Sequence, residues 1–434
     1  MGRRYSSFGI GLFMLAVLAS CAPQPANPNH TEYRAVSAGG SHTCALTRAD
    51  DAFCWGNNAT GQLGDGSMTS SSKPVLVSGN LKFTKIAAGS NHTCGISQGA
   101  VYCWGMNLNG QIGNGASPNA PPVQTPTKVA GPQQSFTEVA AGGNFSCAIA
   151  TGGAAFCWGQ TGNGKLGLGS GLPIGRFGDP ALPNESVNTP SPVAGGQTFK
   201  QIAAQGDNAC ALSTSNQVFC WGSNLFKQIG AATTDTCQIG VQPAWPCAMG
   251  PVQVTAATGS VPTGVAVGDQ FSCYSDDHYD LYCWGGNADA AVAAKTTGLP
   301  ICQFPNGMSF ECAAQPTKAV RPVAAGATLA FVRVDAGSNW LCSSVYPVGN
   351  SVVCWGRNSN GQLGDGLTAD RGTSAKLATA LGALDLSSGG SHACLVTDGS
   401  NAYRVYCWGS NLSGQLGAGT TTTRETTPQL VIER

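Results

Sequence analysis

Apolar residues along the chain fall in short runs, each closed by glycine or a polar turn. No segment carries the period of a long helix. The first run reads Ala35-Val36-Ser37-Ala38, the next Cys44-Ala45-Leu46, and a third Ala52-Phe53-Cys54-Trp55-Gly56. A polar stretch with Asn58 and Gly61-Gln62-Leu63-Gly64 follows. The order then starts again with Ile86-Ala87-Ala88-Gly89, His92-Thr93-Cys94, Val101-Tyr102-Cys103-Trp104-Gly105, Asn107 and Gly110-Gln111-Ile112-Gly113. Between units lie strand-like pieces such as Pro74-Val75-Leu76-Val77 and Pro251-Val252-Gln253-Val254.

The fixed points of this pattern are Cys-Trp-Gly tripeptides, with their tryptophans at Trp55, Trp104, Trp158, Trp221, Trp284, Trp355 and Trp408. Each unit predicts about four short strands joined by glycine-rich turns. One such sheet cannot bury both faces by itself but can when stacked on its like. The expected fold is all-β, a seven-bladed β-propeller over residues 33–434. The first unit lacks a Pro-x-x-Val strand in front of it, while Pro428-Gln429-Leu430-Val431-Ile432 follows the last. Closure is therefore expected through pairing of the N- and C-terminal strands, the C-terminal one completing the N-terminal blade.

The repeated positions resemble a family. Ala-Gly, His-Ser/Thr, aromatic-x-Trp-Gly, Asn and Gly-Gln-Leu-Gly together are similar to the repeat of the regulator of chromosome condensation family, whose members are seven-bladed β-propellers. A cysteine before each Trp-Gly and another in the preceding strand depart from the eukaryotic pattern. The resemblance implies protein binding as the mode of action, as in the secreted propeller-type β-lactamase inhibitory proteins. Guanine-nucleotide exchange on a nuclear GTPase, the other precedent, fits poorly with an exported, cysteine-rich chain.

Charge narrows the partners. Twenty-two basic residues balance 22 acidic ones, and only 10% of residues are charged, against roughly 25% in an average globular protein. No basic excess is available for nucleic acid, so none is expected as a partner. At the N-terminus, Arg3 and Arg4 precede an apolar run over residues 8–18 that ends in Leu18-Ala19-Ser20-Cys21. The run is short for a membrane span and resembles a bacterial lipoprotein signal over residues 1–20, with Cys21 as the lipidated residue. An ordinary secretory signal with an incidental cysteine is the competing reading. Ala22 after the cysteine, by resemblance to enterobacterial sorting, points to the outer membrane or cell surface. Residues 21–32 read as a flexible tether.

Setting Cys21 aside leaves 18 of the 19 cysteines, an even set suited to an oxidising compartment. Facing positions on adjacent antiparallel strands lie within disulfide reach. The expected pairs are Cys44 with Cys54, Cys94 with Cys103, Cys147 with Cys157, Cys210 with Cys220, Cys273 with Cys283, Cys342 with Cys354 and Cys394 with Cys407. Two more, Cys237 with Cys247 and Cys302 with Cys312, fall in insertions. Zinc is the alternative, but no C-x-x-C spacing is present and each unit offers only two thiols.

Other polar constellations read as structure. His42, His92 and His392 share a slot occupied elsewhere by Phe145, Asn208, Phe271 and Trp340, which suits packing better than a metal or catalysis. Asp65 and Asp365 read as turn residues, and Asp276, Asp277, His278 and Asp280 as a solvated turn. No metal, cofactor or catalytic residue is assigned, and no H-E-x-x-H, G-x-S-x-G or phosphate-binding loop is present.

Function is sought where the repeat is interrupted. Insertions at 170–191, 231–250 and 286–318 follow the Trp-Gly strands of three consecutive units, so they should project from one sector of one face. They carry Phe177, Trp245, Met249, Phe304, Met308 and Phe310 as candidate anchors for a protein partner, or as covers for the blade tops. The reading is a monomeric, envelope-anchored binding or scaffolding propeller with an unidentified protein partner. An envelope lyase or hydrolase acting on polysaccharide is the alternative, favoured by two acids together over the central opening. A purely structural surface protein is the third.

Overall fold

The computed structural model describes residues 31–433 except 117–118, 132–133, 171–185, 238–243, 288, 293–298, 304–307, 322, 325–326, 347–350 and 400–401. Phe177, Phe304 and Cys21 lie outside the described residues. Seven antiparallel sheets follow one another along the chain, spanning residues 33–76, 85–128, 136–192, 199–254, 262–318, 330–376 and 383–430. We call them blades one to seven. Five have four strands in sequence order, and blades four and five gain a fifth strand from their insertions. A two-stranded ribbon, Val323–Ala324 with Ala327–Thr328, links blades five and six.

In blade one burial is greatest in the two middle strands and falls off in the inner and outer ones. The second strand of blade one, His42–Thr47, is buried at every position because a neighbouring blade covers each face. The outer strand Ser71–Leu76 buries only Pro74. The first strand of each blade is innermost, and it exposes a sheet edge whose N–H groups have no strand partner. Side chains of the preceding blade supply acceptors. Ala88 N donates to Ser37 Oγ at 2.9 Å, Ala38 N to Ser387 Oγ at 3.0 Å, Val36 N to Asp385 Oδ2 at 2.9 Å and Ser388 N to Asp335 Oδ2 at 2.5 Å.

The Cys-Trp-Gly tripeptides lie in the third strands. Their glycines, Gly56, Gly105, Gly159, Gly222, Gly285, Gly356 and Gly409, all have φ between 103° and 114°. At each the pairing with the outer strand shifts register, so the tripeptide is a bulge that re-aims the tryptophan. A Cβ on Gly56 would also lie 2.6 Å from the Ser41 carbonyl oxygen. The tryptophans are fully buried between blades. Each donates Nε1–H to one carbonyl of the preceding blade: Trp104 to Gln62, Trp158 to Gln111, Trp221 to Lys165, Trp284 to Gln228, Trp355 to Ala291, Trp408 to Gln362 and Trp55 to Gln415.

That last bond closes the ring, and it corrects one expectation. The strand Arg424–Leu430 pairs with Val405–Ser410 of its own blade, Tyr406 opposite Leu430, and does not complete the N-terminal blade. The repeat is phased differently: Pro-x-x-Val ends a blade instead of beginning one, so Tyr33–Ala38 opens a first blade that lacks nothing. Blades seven and one meet as any neighbours do. Gly390 N donates to Gly39 O at 3.1 Å, and Thr43 Oγ1 donates to Gln415 O at 2.9 Å.

The seven in-blade cysteine pairs are joined in the structure with Cα separations of 4.0 to 4.1 Å, in register across the second and third strands. The two insertion pairs, Cys237 with Cys247 and Cys302 with Cys312, are also joined, at 5.8 and 5.9 Å. By the loop-entropy argument, each short loop contributes on the order of 2 to 3 kcal/mol.

Candidate interaction face

The loop from third to outer strand leaves every blade on the same face as the turn from first to second strand. The three insertions occupy that loop in blades three, four and five, which are neighbours. In blade four Thr236–Cys237 pairs with the start of Trp245–Val254, Cys237 opposite Trp245. In blade five Ile301–Gln303 pairs with Ser309–Lys318, Cys302 opposite Phe310. The outer strands are thus lengthened into stapled hairpins.

Among the candidate anchors, Met308 is 60% exposed, whereas Trp245, Met249 and Phe310 are half-buried. Phe310 packs edge-on against Phe226 at 5.5 Å, so it covers the top of blade four as well as edging the face. Ile301, 63% exposed on the same hairpin, was not singled out by sequence reading. Met249 ties the sector to blade three, its carbonyl accepting from Gly169 N at 2.9 Å.

Beside these hairpins, at the mouth of the central opening, lies a polar notch that sequence reading missed. Lys165 stands where blades one, two, four, six and seven carry Gln62, Gln111, Gln228, Gln362 and Gln415. It is 2% exposed and donates to Gln160 Oε1 at 2.7 Å and to Asp207 Oδ1 at 2.5 Å. Asn163 Nδ2 donates to the other Asp207 oxygen at 2.8 Å. Asp269, in the equivalent turn of blade five, accepts from Ser338, and its carboxyl is raised above the usual range by burial and by Asp207 alongside. The available signal was Gly-Asp in two adjacent turns where the other blades carry glycine, serine or asparagine, together with a lone lysine in the Gly-Gln-Leu-Gly slot.

The histidine slot is structural. His42 Nε2 lies 2.8 Å from Thr93 Oγ1, His92 Nε2 2.9 Å from Ser146 Oγ and His392 Nε2 2.8 Å from Thr43 Oγ1. Each hydroxyl already donates its proton to the carbonyl that the tryptophan uses, Gln62, Gln111 or Gln415. The histidine must therefore be the donor, a neutral ring protonated on Nε2. Burial lowers its pKa to about 3 for His42 and about 4 for His92 and His392. In blade four Asn208 Nδ2 donates to Ser272 Oγ at 3.4 Å in the same manner.

The acidic turns are likewise engaged. Asp65 accepts from Asn58 Nδ2 and Ser67 N, and Asp365 from Asn358 Nδ2 and Leu367 N. Asp276 is buried and accepts from the backbone of His278 and Asp280, while Asp280 is paired with Lys318 and Arg321. This turn is on the face opposite the insertions.

Inner strands line a central cavity of about 620 Å³, mostly with alanine, valine and serine. Asp335, half-buried, is the acid among its lining residues, its carboxyl pushed up to about 7 by desolvation. Its Oδ2 is held by Ser388 N, which makes it part of the blade six to blade seven contact.

The fold and the repeated inter-blade bonds define a seven-bladed β-propeller of disulfide-stapled blades. Residues 7–371 match the RCC1-like domain, and residues 384–415 and 404–433 match the regulator of chromosome condensation (RCC1) repeat. The chain belongs to the RCC1-like domain family. It is 28% identical over 322 residues to the mitochondrial RCC1 domain-containing protein RUG3 of Arabidopsis thaliana, covering 71% of this chain and 67% of that protein. It is 25% identical over 398 residues to the human E3 ubiquitin-protein ligase HERC2, covering 89% of this chain and 7% of the ligase. Among solved structures, human WBSCR16 superposes with a TM-score of 0.67 at 19% identity, covering 83% of this chain and 85% of that one. Prp20p of Saccharomyces cerevisiae gives 0.65 at 22%, covering 82% and 80%.

Proposed function

We propose that this protein is an envelope-anchored, non-catalytic, monomeric propeller that binds a protein partner through the insertions of blades three to five. The observation that carries the reading is three consecutive insertions on one face, two of them disulfide-stapled hairpins bearing exposed Met308 and Ile301 beside half-buried Trp245 and Met249. A stapled hairpin loses little ordering entropy when it docks. Protein binding accords with the family: the structural work on Prp20p addresses its binding to Gsp1p and histones. Ubiquitin ligation is not carried over, since the chain matches only 7% of HERC2. Anchoring rests on the N-terminal sequence ending at Cys21 and on an even set of cysteines suited to an oxidising compartment. Palmitate labelling of the parent and its loss in Cys21→Ser test it.

The enzymatic alternative asked for two acids at the central opening. Asp207 and Asp269 lie there, but both Asp207 oxygens are engaged, by Lys165 and by Asn163, which suits binding better than acid–base work. The test of binding is capture from envelope extract by the parent and by Trp245→Ala/Met308→Ala. The same set of captured proteins from both sinks the sector, and turnover of cell-wall glycans by the parent would establish the enzyme instead.

A further inference from the structure

In the notch formed by Lys165, Asn163, Asp207 and Asp269, the Lys165 ammonium and Asn163 Nδ2 donate to Asp207, while the two carboxylates and the Asn163 amide oxygen are its acceptors. Asp207 presents a carboxylate that is 47% exposed on its side chain, so the notch is open at the mouth of the ring. Lys165 pairs with Asp207 at 2.5 Å, whereas the Asp269 carboxyl is raised by burial first and by the neighbouring Asp207 second. A second observation is independent of the carboxylates. Asn163 is 9% exposed and held by its Nδ2 bond to Asp207, yet its Oδ1 is buried with no hydrogen-bond partner. A buried acceptor left empty costs about 1–3 kcal/mol, and a donor delivered by a ligand removes that cost.

The charges around the notch point the same way. On the insertion face of blades three to five the described acids are Asp207, Asp235, Asp269, Asp289 and Glu311, whereas the described bases are Lys165, buried in the notch, and Lys227. An acceptor-rich, net acidic notch beside an apolar rim fits a donor-rich cation carried on an otherwise apolar surface.

We propose that the notch receives a basic side chain, preferably an arginine guanidinium, of the protein partner that docks on the insertion hairpins. The proposal rests on the binding sector described above. The guanidinium bridges Asp269 and Asp207 at the rim and delivers an N–H toward Asn163 Oδ1. An arginine fork suits two adjacent carboxylates better than a lysine ammonium does.

The test uses the full chain and a fluorescent hexa-arginine peptide, with binding read by anisotropy at low ionic strength. Asp207→Asn/Asp269→Asn is expected to weaken binding about tenfold or more. Lys165→Gln, which installs the residue found in five other blades, frees Asp207 and is expected to tighten it severalfold. Asp277→Asn, on the opposite face, leaves it unchanged. Equal binding by the parent and the notch variants overturns the proposal, as does weaker binding by Lys165→Gln or equal binding of hexa-glutamate. Displacement of the peptide by micromolar calcium assigns the notch to a metal and overturns it too. The outcome is separable from the sector reading, which fails only if Trp245→Ala/Met308→Ala leaves partner capture intact.

Discussion

Blades seven, one and two differ from blades three, four and five in what they do with the same repeat. In the first group the first position of the second strand holds His392, His42 and His92, and each donates to a hydroxyl that bonds the carbonyl shared with the next tryptophan. In the second group the slot holds Phe145, Asn208 and Phe271, the glutamine position holds Lys165, Gln228 and Ala291, and the outer loops are lengthened. The tryptophan bond survives in both, because its acceptor is a backbone carbonyl that any side chain can supply. The ring is thus held by the backbone of the repeat, and side chains in one sector are free to serve something else.

The comparison breaks most easily at the tryptophans. Trp104→Ala or Trp408→Ala should lower stability by about 3–5 kcal/mol in chemical denaturation, through a large cavity and a carbonyl missing one of its donors. If either costs as little as a surface change, the ring is not held in this way.

The histidines sharpen it through pH. Their folded pKa values of about 3 to 4 lie below the ordinary 6.5, so the unfolded chain binds more protons under that value. Their contribution is complete above pH 6.5 and is lost as the pH falls toward 4, by more than about 3 kcal/mol in sum. Asp335 acts in the opposite sense: its raised pKa gives stability below the unfolded value of 3.8 that is lost as pH rises through about 7. The two are separated by His42→Phe/His92→Phe/His392→Phe, which installs the side chain of blades three and five. Its stability relative to the parent should rise as the pH is lowered from 7 to 4. A constant difference would contradict the buried neutral assignment.

Removing an in-blade disulfide, as in Cys94→Ser/Cys103→Ser, should cost on the order of 2–3 kcal/mol. Under graded reductant, alkylation mapped by mass spectrometry should reach Cys302 and Cys312 before Cys94 and Cys103, since Cys302 is partly exposed and the in-blade pair is fully buried. The smallest effect belongs to the insertions. Trp245→Ala, at a half-buried site outside the ring contacts, should change stability by under about 1 kcal/mol.

Much of the scaffold could be read from the chain because its cause is local and repeated. Alternating apolar runs, glycines at fixed offsets and cysteines at facing positions give blades, turns and staples. The phase of the repeat could not be read that way, since a circular pattern does not say which strand is innermost until Tyr33–Ala38 is seen pairing with its own blade. The tryptophans were legible as the fixed points of the repeat, but their hydrogen bonds were not, because the acceptor is a main-chain carbonyl about one repeat away. The notch escaped for a related reason: Lys165, Asp207 and Asp269 come from three blades, and only ring geometry brings them together.

The division between a holding ring and a binding sector is tested most directly by partner capture at matched thermal stability. Two variants are compared with the parent: Trp245→Ala/Met308→Ala in the insertions, and Leu108→Ala/Leu412→Ala, which removes side chains 45% and 70% exposed on blades two and seven. The prediction is a tenfold or greater loss of capture, on the order of 1.4 kcal/mol, for the insertion variant and none for the other. Equal capture by all three proteins, or a loss confined to the Leu108/Leu412 variant, would contradict it.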